Sequence, residues 1–289
     1  MSSNSCLVFG ASGLIGTALC AELVKRQVVY GLSRRRPFDH ANFHWTSADL
    51  ALDFMPGNLP GRVESVVYLA QSEHFREFPA RALNIFEINT AGLLRALDYA
   101  RGAGVRNFVF ASSGGVYGTG DQLFAEDFRV PATGELGFYL STKLCSEILA
   151  RSYAGYFNIS ILRLFFVYGA GQRRNMLIPR LIDNVREGRP LDLSGRDGIR
   201  INPTHVGDAV RAIEGALELQ GSHTINIAGP QVLSMRQIGV LIGRAIGRDP
   251  VWRVNEDAAP SNIVGDIEKM SRLLGSPVTS FEEGLRLTV

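Results

Sequence analysis

Residues 6–16 read CLVFGASGLIG: a short β-forming run, Cys6 to Phe9, passes straight into a loop with glycines at Gly10, Gly13 and Gly16. A helical pattern, Leu14 to Arg26, begins inside the loop. Strand, glycine turn and helix in immediate succession predict the first βα unit of a parallel sheet. Glycine permits a sharp turn and close approach of a ligand to the backbone, while the helix start offers unpaired amides and a positive dipole end to a pyrophosphate. The spacing is GxxGxxG rather than GxGxxG, so the location between first strand and first helix carries the reading. Gly10, Ser12, Gly13, Leu14, Ile15 and Gly16 are therefore candidate dinucleotide contacts, with a plain turn as the alternative.

Outward from this loop the same alternation continues. Val28 to Leu32, Phe43 to Trp45, Ser65 to Leu69, Asn107 to Ala111 and Ile159 to Leu164 read as strands, and Leu83 to Arg101 and Phe138 to Tyr153 as crossover helices. The expected fold is α/β: a Rossmann-type doubly wound parallel sheet over residues 1–168 and a smaller C-terminal substrate-binding cap over 169–289. Parts of the cap return to the first domain, since Thr224 to Ala228 reads as another strand and Met235 to Ile246 as a helix. The helix Leu83 to Arg101 is apolar around most of its circumference, which predicts burial on more than one side and makes a homodimer plausible.

Composition narrows the classes. The 289 residues carry 46% hydrophobic and 20% charged side chains, an ordinary globular balance. Thirty Lys+Arg against 28 Asp+Glu leave a net charge of +2, too little for a whole-molecule nucleic-acid or membrane-surface field. Cys6, Cys20 and Cys145 lack zinc spacing and read as reduced, buried thiols of a cytoplasmic protein. No apolar run approaches the ~18 residues of a bilayer span, and Met1 to Ser5 lead directly into the first strand, so neither a transmembrane segment nor a signal peptide is expected.

About 20 residues past such a loop, NAD-binding proteins commonly place an acid that holds the ribose hydroxyls. Here the chain reads Ser33-Arg34-Arg35-Arg36. A hydroxyl and guanidinium groups favour a 2′-phosphate, so NADP(H) is expected ahead of NAD(H); a solvated surface cluster is the alternative. Asp49, with Leu50 beside it, is a candidate for the adenine amino group or a helix cap.

Two further segments bear chemistry. The strand NFVFASS brings Ser112 and Ser113 to its carboxyl end, where open α/β sheets bind ligands. Tyr139-Leu-Ser-Thr-Lys143 sets a phenol and an ammonium one helical turn apart. Bringing a phenol from a pKa of ~10 to ~7 takes about 4 kcal/mol, which a cation at ~4 Å and effective dielectric ~20 supplies.

GASGLIG, ASSGGVYG and YLSTK, in that order, resemble the extended short-chain dehydrogenase/reductase family, in its nucleotide-sugar epimerase, dehydratase and ketoreductase branch. ILRLFFVYGAG, GRDGIRINPTHVGDAV and DIEKMSRLLG are similar to its later segments, so the resemblance spans nearly the whole chain. It implies Tyr139 as proton donor and acceptor, Lys143 as its electrostatic partner and a nicotinamide-ribose ligand, and Ser113 as donor to the reacting oxygen. Ala70 and Asn89 match cofactor-neighbourhood positions, and Arg200 matches an arginine that contacts the nucleotide diphosphate. Phe166 and Ala170 depart from the family's RxFNVYGP segment.

The branch's dehydratases carry an acid pair where this chain has Gly114 and Gly115, which disfavours dehydration; Glu126 or Asp127 of the following loop could enter instead, but both read first as loop charges. Reduction of a 4-keto nucleotide sugar is expected ahead of 4-epimerisation, because the arginines suggest the reducing cofactor pool. A non-catalytic NAD(P)-binding sensor and a reductase of a non-sugar ketone are the other possibilities. Asp208 is expected to cap the helix that follows it, His205 to be structural, and no metal site is expected.

Overall fold

A computed structural model describes residues 5–52, 59–130, 136–259 and 261–289. Met1 to Asn4, part of the amino-terminal reading, lie outside them. In chain order come β1 (Ser5–Phe9), α1 (Leu14–Leu23), β2 (Val28–Ser33), β3 (Phe43–Ser47), β4 (Ser65–Tyr68), α2 (Ala82–Phe86), a π-helical turn (Glu87–Ala91), α3 (Gly92–Gly102) and β5 (Asn107–Ser113). A 3₁₀ turn (Gly114–Tyr117), β6 (Leu123–Phe124), α4 (Gly137–Arg151), β7 (Asn158–Leu164), β8 (Val167–Tyr168), α5 (Leu177–Glu187) and β9 (Leu191–Ser194) follow. Then come β10 (Arg200–Ile201), β11 (Thr204–His205), α6 (Val206–Ala216), β12 (Ser222–Ile227), β13 (Leu233–Ser234) and α7 (Met235–Ile246). The last elements are β14 (Trp252–Asn255), β15 (Val264–Gly265), α8 (Glu268–Leu274) and α9 (Phe281–Arg286).

The main sheet has seven strands in the order β12-β7-β5-β4-β1-β2-β3. Pairings from β5 through β4, β1 and β2 to β3 are all parallel. This is the Rossmann-like α/β fold expected from the sequence. Its order reverses beside β1, so the loop after β1 stands at the switch point where such sheets bind ligands. Strands covered on both faces read as unbroken apolar runs, and every residue of β1 and β4 is buried.

By their internal contacts, Met1–Val116, Pro131–Arg163 and Ala212–Ile225 form one compact unit, and Tyr117–Val130, Leu164–Arg211 and Asn226–Val289 another. The first unit packs Leu7, Phe9, Tyr68, Leu97, Phe108 and Phe110 in its core. In the second, Tyr168, Ile182, Val185, Ile238, Phe281 and Leu285 cluster, and β14 lies parallel to β9. A capping box from Ser234 and Gln237 starts α7, and Gly247 closes it in the left-handed region at φ 71°.

The expected single helix Leu83 to Arg101 is interrupted by the π turn. Two side chains explain it: the Tyr68 phenol donates to the Ile88 carbonyl, and the Ser146 hydroxyl to that of Asn89. Carbonyls drawn to outside donors widen the helical ladder there. Gly92 makes room, since a Cβ at that position would lie 2.6 Å from the Tyr68 oxygen. Within a single chain the expected burial is met on one side of this segment only. Ile85, Leu93, Ala96, Leu97 and Ala100 are buried, but Leu83, Phe86 and Leu94 are 80%, 44% and 40% exposed.

Two further expectations change. Cys6 and Cys20 are buried, burial holding both thiols above their ordinary range, that of Cys6 at about 12, but Cys145 is exposed on α4. Asp208 lies inside the first turn of α6, where its carboxylate accepts from the backbone amides of Val278 and Thr279 (3.0 and 3.1 Å) rather than capping its own helix.

Behind β5 lies a buried ion pair. Arg163 of β7 donates to both oxygens of Glu147 on α4 (3.0 and 2.7 Å), and Ser112 donates to the same carboxylate (2.6 Å). Glu147 is fully buried and Arg163 nearly so. Arg163→Met leaves that carboxylate buried without its main partner and is expected to cost about 3–5 kcal/mol in urea unfolding. Adding Glu147→Leu recovers most of the loss.

Candidate functional site

The loop after β1 is fixed by its backbone. The Gly10 and Ala11 amides donate to the Leu32 carbonyl at 2.9 and 3.1 Å, and the Gly13 amide returns to the Gly10 carbonyl at 3.1 Å. Gly10 has φ 85°, and a Cβ there would lie 2.9 Å from the Ala70 nitrogen. At Gly16 a Cβ would come within 2.2 Å of the Gly10 carbonyl oxygen, so helix and turn pack together only with hydrogen at that position. Gly13 begins α1 with no side-chain cap, and Ser12 and Gly13 are exposed with Leu14 and Ile15 half-buried. The first-turn amides thus face outward in a cradle that suits a pyrophosphate.

The end of β2 is more committed than its sequence suggests. Ser33 is buried, donates to the Arg35 carbonyl (2.7 Å) and accepts from the Trp45 indole (3.2 Å). Arg34 donates to Glu73 at 2.7 Å, a bond that raises its guanidinium pKa further. Arg36 pairs with Asp39 at 2.7 Å, and Arg35 is exposed. Asp49 accepts from the Ala51 amide at 3.0 Å, closing a turn, and Leu50 is buried in the core. Of these candidates, Arg34, Arg35 and Arg36 are all exposed.

Three residues at the carboxyl end of β5 meet α4. The buried Lys143 ammonium donates to the Ala111 carbonyl at 2.9 Å and lies 5.2 Å from the centre of the Phe110 ring. Ser112 binds Glu147, as above. Ser113 hydrogen-bonds the Tyr139 phenol and accepts from the Gly115 amide at 3.1 Å. Helical spacing aligns Tyr139, Lys143 and Glu147 along one face of α4, so the strand end touches each successive turn.

The electrostatics depart from the expected arrangement. Burial pushes the Tyr139 phenol above its ordinary pKa, with the Ser113 hydrogen bond opposing it. The same burial lowers Lys143 to about 8, against which Glu147 acts. Tyr139 donates to Gln71 at 2.8 Å and packs on Phe75 at 5.2 Å. The net shift of the phenol is upward, opposite to the one predicted from the Tyr–Lys spacing, because desolvation outweighs the Ser113 hydrogen bond.

Asn89 is fully buried in the π turn. Its carbonyl accepts from the Ser72 amide and its amide donates to Thr142, both at 3.0 Å, so its side chain joins the loop after β4 to α4. Ala70 is buried against the glycine loop. Gln71, Glu73 and Glu147 were not singled out in the sequence. Glu147 was detectable as a third member of the 139/143 spacing, whereas Gln71 and Glu73 gave no local signal.

In the second unit, the Arg200 side chain is exposed, while its backbone amide donates to Asn262 at 2.7 Å. His205 accepts from the Gly207 amide at 3.2 Å and packs edge-on against Tyr168, a structural setting. Glu126 is bound to the Asn226 amide at 2.7 Å.

The model of the NAD dependent epimerase/dehydratase family matches residues 6–228. The chain belongs to that family. It is 31% identical, over 96% of its own length and 95% of the other, to a protein of Bacillus subtilis named uncharacterized UDP-glucose epimerase YtcB. The UDP-glucuronic acid 4-epimerase of Bacillus cereus, solved with UDP-glucuronic acid and NAD, superposes with a TM-score of 0.86 at 26% identity, covering 98% of this chain and 97% of that one. A dTDP-4-dehydro-6-deoxy-D-allose reductase of Streptomyces is 26% identical over 78% of this chain and 73% of its own. This family member is thus an enzyme of the short-chain dehydrogenase/reductase type, fitted for a nicotinamide cofactor and similar to both epimerases and a reductase. No helix among the described residues is long and apolar enough to cross a membrane.

The buried Lys143 gives a stability prediction with a definite sign. Its folded pKa of about 8 lies below the ordinary 10.5, so at neutral pH the folded state bears the cost of a desolvated charge, on the order of 3 kcal/mol. Between pH 8 and 10.5 the unfolded chain binds more protons than the folded one, so this cost falls as pH rises. Lys143→Met is expected to be more stable than the parent in urea at pH 7, with the difference shrinking towards pH 10.

Proposed function

We propose that this protein is an NAD-dependent 4-epimerase acting on a UDP-sugar. The observation that carries the reading is the meeting of Tyr139, Ser113 and Lys143 with the end of β5, in the same unit as the glycine cradle. Similarity over nearly the full length of both chains to proteins named as UDP-sugar epimerases supports the substrate class and the reaction.

A bound dinucleotide would supply a hydride acceptor and donor, and the first-turn amides of Leu14 to Gly16 would hold it. Tyr139, as the phenolate, accepts the proton of the sugar hydroxyl as the carbonyl forms and gives it back as the alcohol re-forms. Ser113 donates to that same oxygen. Lys143, charged below about pH 8, favours the phenolate and would hold the nicotinamide ribose. Gln71 accepts from the phenol in its protonated form, the form Tyr139 has while the sugar is a ketone. Arg200, exposed and with no side-chain hydrogen bond among the described residues, is the ligand for the diphosphate. Dehydration is disfavoured: Gly114 and Gly115 carry no acid, a Cβ at Gly115 would lie 2.9 Å from Leu140, and Glu126 is committed to Asn226.

A second reading, NADPH-dependent reduction of a 4-keto nucleotide sugar, is favoured by the absence of an acid at the end of β2 and by exposed Arg35. The reductase relative supports it too. Incubation with UDP-glucose or UDP-glucuronic acid and catalytic NAD, followed by NMR, separates the two. Formation of the C4 epimer with no net change at 340 nm is the expected result; consumption of NADPH by a 4-keto sugar, with no epimer formed, would replace it with the reductase. Tyr139→Phe is expected to lower kcat by about 10²–10⁴-fold while NAD binding stays within about twofold of the parent.

We also infer a homodimer of a cytoplasmic protein. The first rests on the exposed Leu83, Phe86 and Leu94 along α2 and α3, an apolar row suited to a second copy of itself, and the second on free thiols. Sedimentation is expected to give a dimer that Leu83→Glu with Leu94→Glu converts to monomer. A monomeric parent would refute it.

A further inference from the structure

The sheet order β4-β1-β2 sends three loops out side by side at one edge of the cofactor cradle. The glycine loop leaves β1 in the middle, Arg34 follows β2 on one side, and Glu73 follows β4 on the other. The loop touches both neighbours: the Gly10 amide donates to the Leu32 carbonyl at 2.9 Å, and a Cβ at Gly10 would lie 2.9 Å from the Ala70 nitrogen. The Arg34–Glu73 pair, with Nη1 and Oε1 2.7 Å apart, therefore bridges from one flank of the glycine loop to the other. Its side chains are half and one-third exposed, so incoming ligand charge can reach them.

We propose that Glu73 is a specificity-determining residue that biases this cradle towards NAD. With its carboxylate holding Arg34, a 2′-phosphate can recruit that guanidinium only by displacing Glu73, and it also meets the negative charge of Glu73 itself. A dinucleotide whose ribose bears a free 2′-hydroxyl binds without either cost. The carboxylate that NAD-binding chains commonly place at the end of the second strand is thus supplied from the loop after β4, with Arg34 as its anchor.

The other charges around Arg34 act in the same direction or are already engaged. Asp49, leaving β3, adds a second negative charge to the field of Arg34. Arg36 is paired with Asp39. The Ser33 hydroxyl, a donor that a 2′-phosphate would use, is spent on the Arg35 carbonyl. Arg35 is the remaining exposed cation of the cluster, and it alone faces a phosphate without a described carboxylate partner.

The inference rests on the reading that the glycine loop holds a dinucleotide, but not on which reaction the enzyme performs. The test is direct titration of the full chain, freed of copurified cofactor, with NAD+ and with NADP+ by calorimetry. For Glu73→Gln the expected result is NADP+ binding about fivefold tighter, the effect of removing one exposed, hydrogen-bonded charge, with NAD+ unchanged within about twofold. In an Arg34→Ala background, where the repulsion by the carboxylate remains but no guanidinium can be released, the same substitution is expected to give a smaller gain. Equal changes for both cofactors, no change for either, or a gain undiminished without Arg34 would each overturn the assignment of Glu73. A parent protein that binds neither cofactor would instead overturn the dinucleotide reading on which it stands.

Discussion

The site depends on how the last three residues of β5 are fastened to α4. Ala111 accepts from Lys143, Ser112 donates to Glu147, and Ser113 meets Tyr139. A helix advances about 6 Å over four residues and a strand about 3.3 Å per residue, so three such attachments hold together at only one placement of helix over strand. Arg163 adds β7 to the same clamp through its two bonds to Glu147. Buried ion pairs give little net stability, because desolvation offsets their attraction. Their consequence is geometric: Glu147 can satisfy Ser112 and Arg163 together only when α4 sits at that one height, and the same height brings the Tyr139 phenol to Ser113.

Burial drives the two candidate proton-handling groups in opposite directions, and both shifts have one cause. Low dielectric disfavours charge, so the phenol is held neutral and the ammonium is brought to a pKa of about 8. A lysine that titrates just above neutrality still carries its charge at pH 7, yet the protein pays for keeping it there. Glu147, one turn farther from the site, works against that loss without touching Tyr139. The clamp that sets geometry therefore also opposes the loss of charge that burial imposes on its neighbour.

Much of this was legible because the signals were local and periodic. CLVFGASGLIG placed strand, turn and helix within eleven consecutive residues, and the apolar runs Cys6 to Phe9 of β1, Val66 to Tyr68 of β4 and Phe108 to Ala111 of β5 were unbroken because sheet strands covered on both faces have no polar side to show. Tyr139 and Lys143 were found by helical spacing, and Glu147 extends it. The break in the helix after Phe86 was not legible, since its causes, the Tyr68 phenol of β4 and the Ser146 hydroxyl of α4, come from other elements. Nor was the exposure of Cys145, which depends on which face of α4 turns outward. Asp208 has the composition of a helix cap, and only the fold brings the amides of Val278 and Thr279 to it.

The end of β2 shows why cofactor choice is the hardest of these properties to read from a motif. Ser33-Arg34-Arg35-Arg36 is a run of donors when considered alone, and a run of donors suits a phosphate. In the fold its charge is largely balanced before any ligand arrives, by Glu73 thirty-nine positions downstream and by Asp39 beside it. What a 2′-phosphate meets is the sum of the guanidinium groups and the carboxylates that reach them, and the carboxylates enter from other strand ends. A parallel sheet brings such ends together by design, each crossover returning the chain to the same edge. Residues adjacent in the field around β1 are then far apart in sequence, so the sign of that field follows from the strand order rather than from any one stretch of the chain.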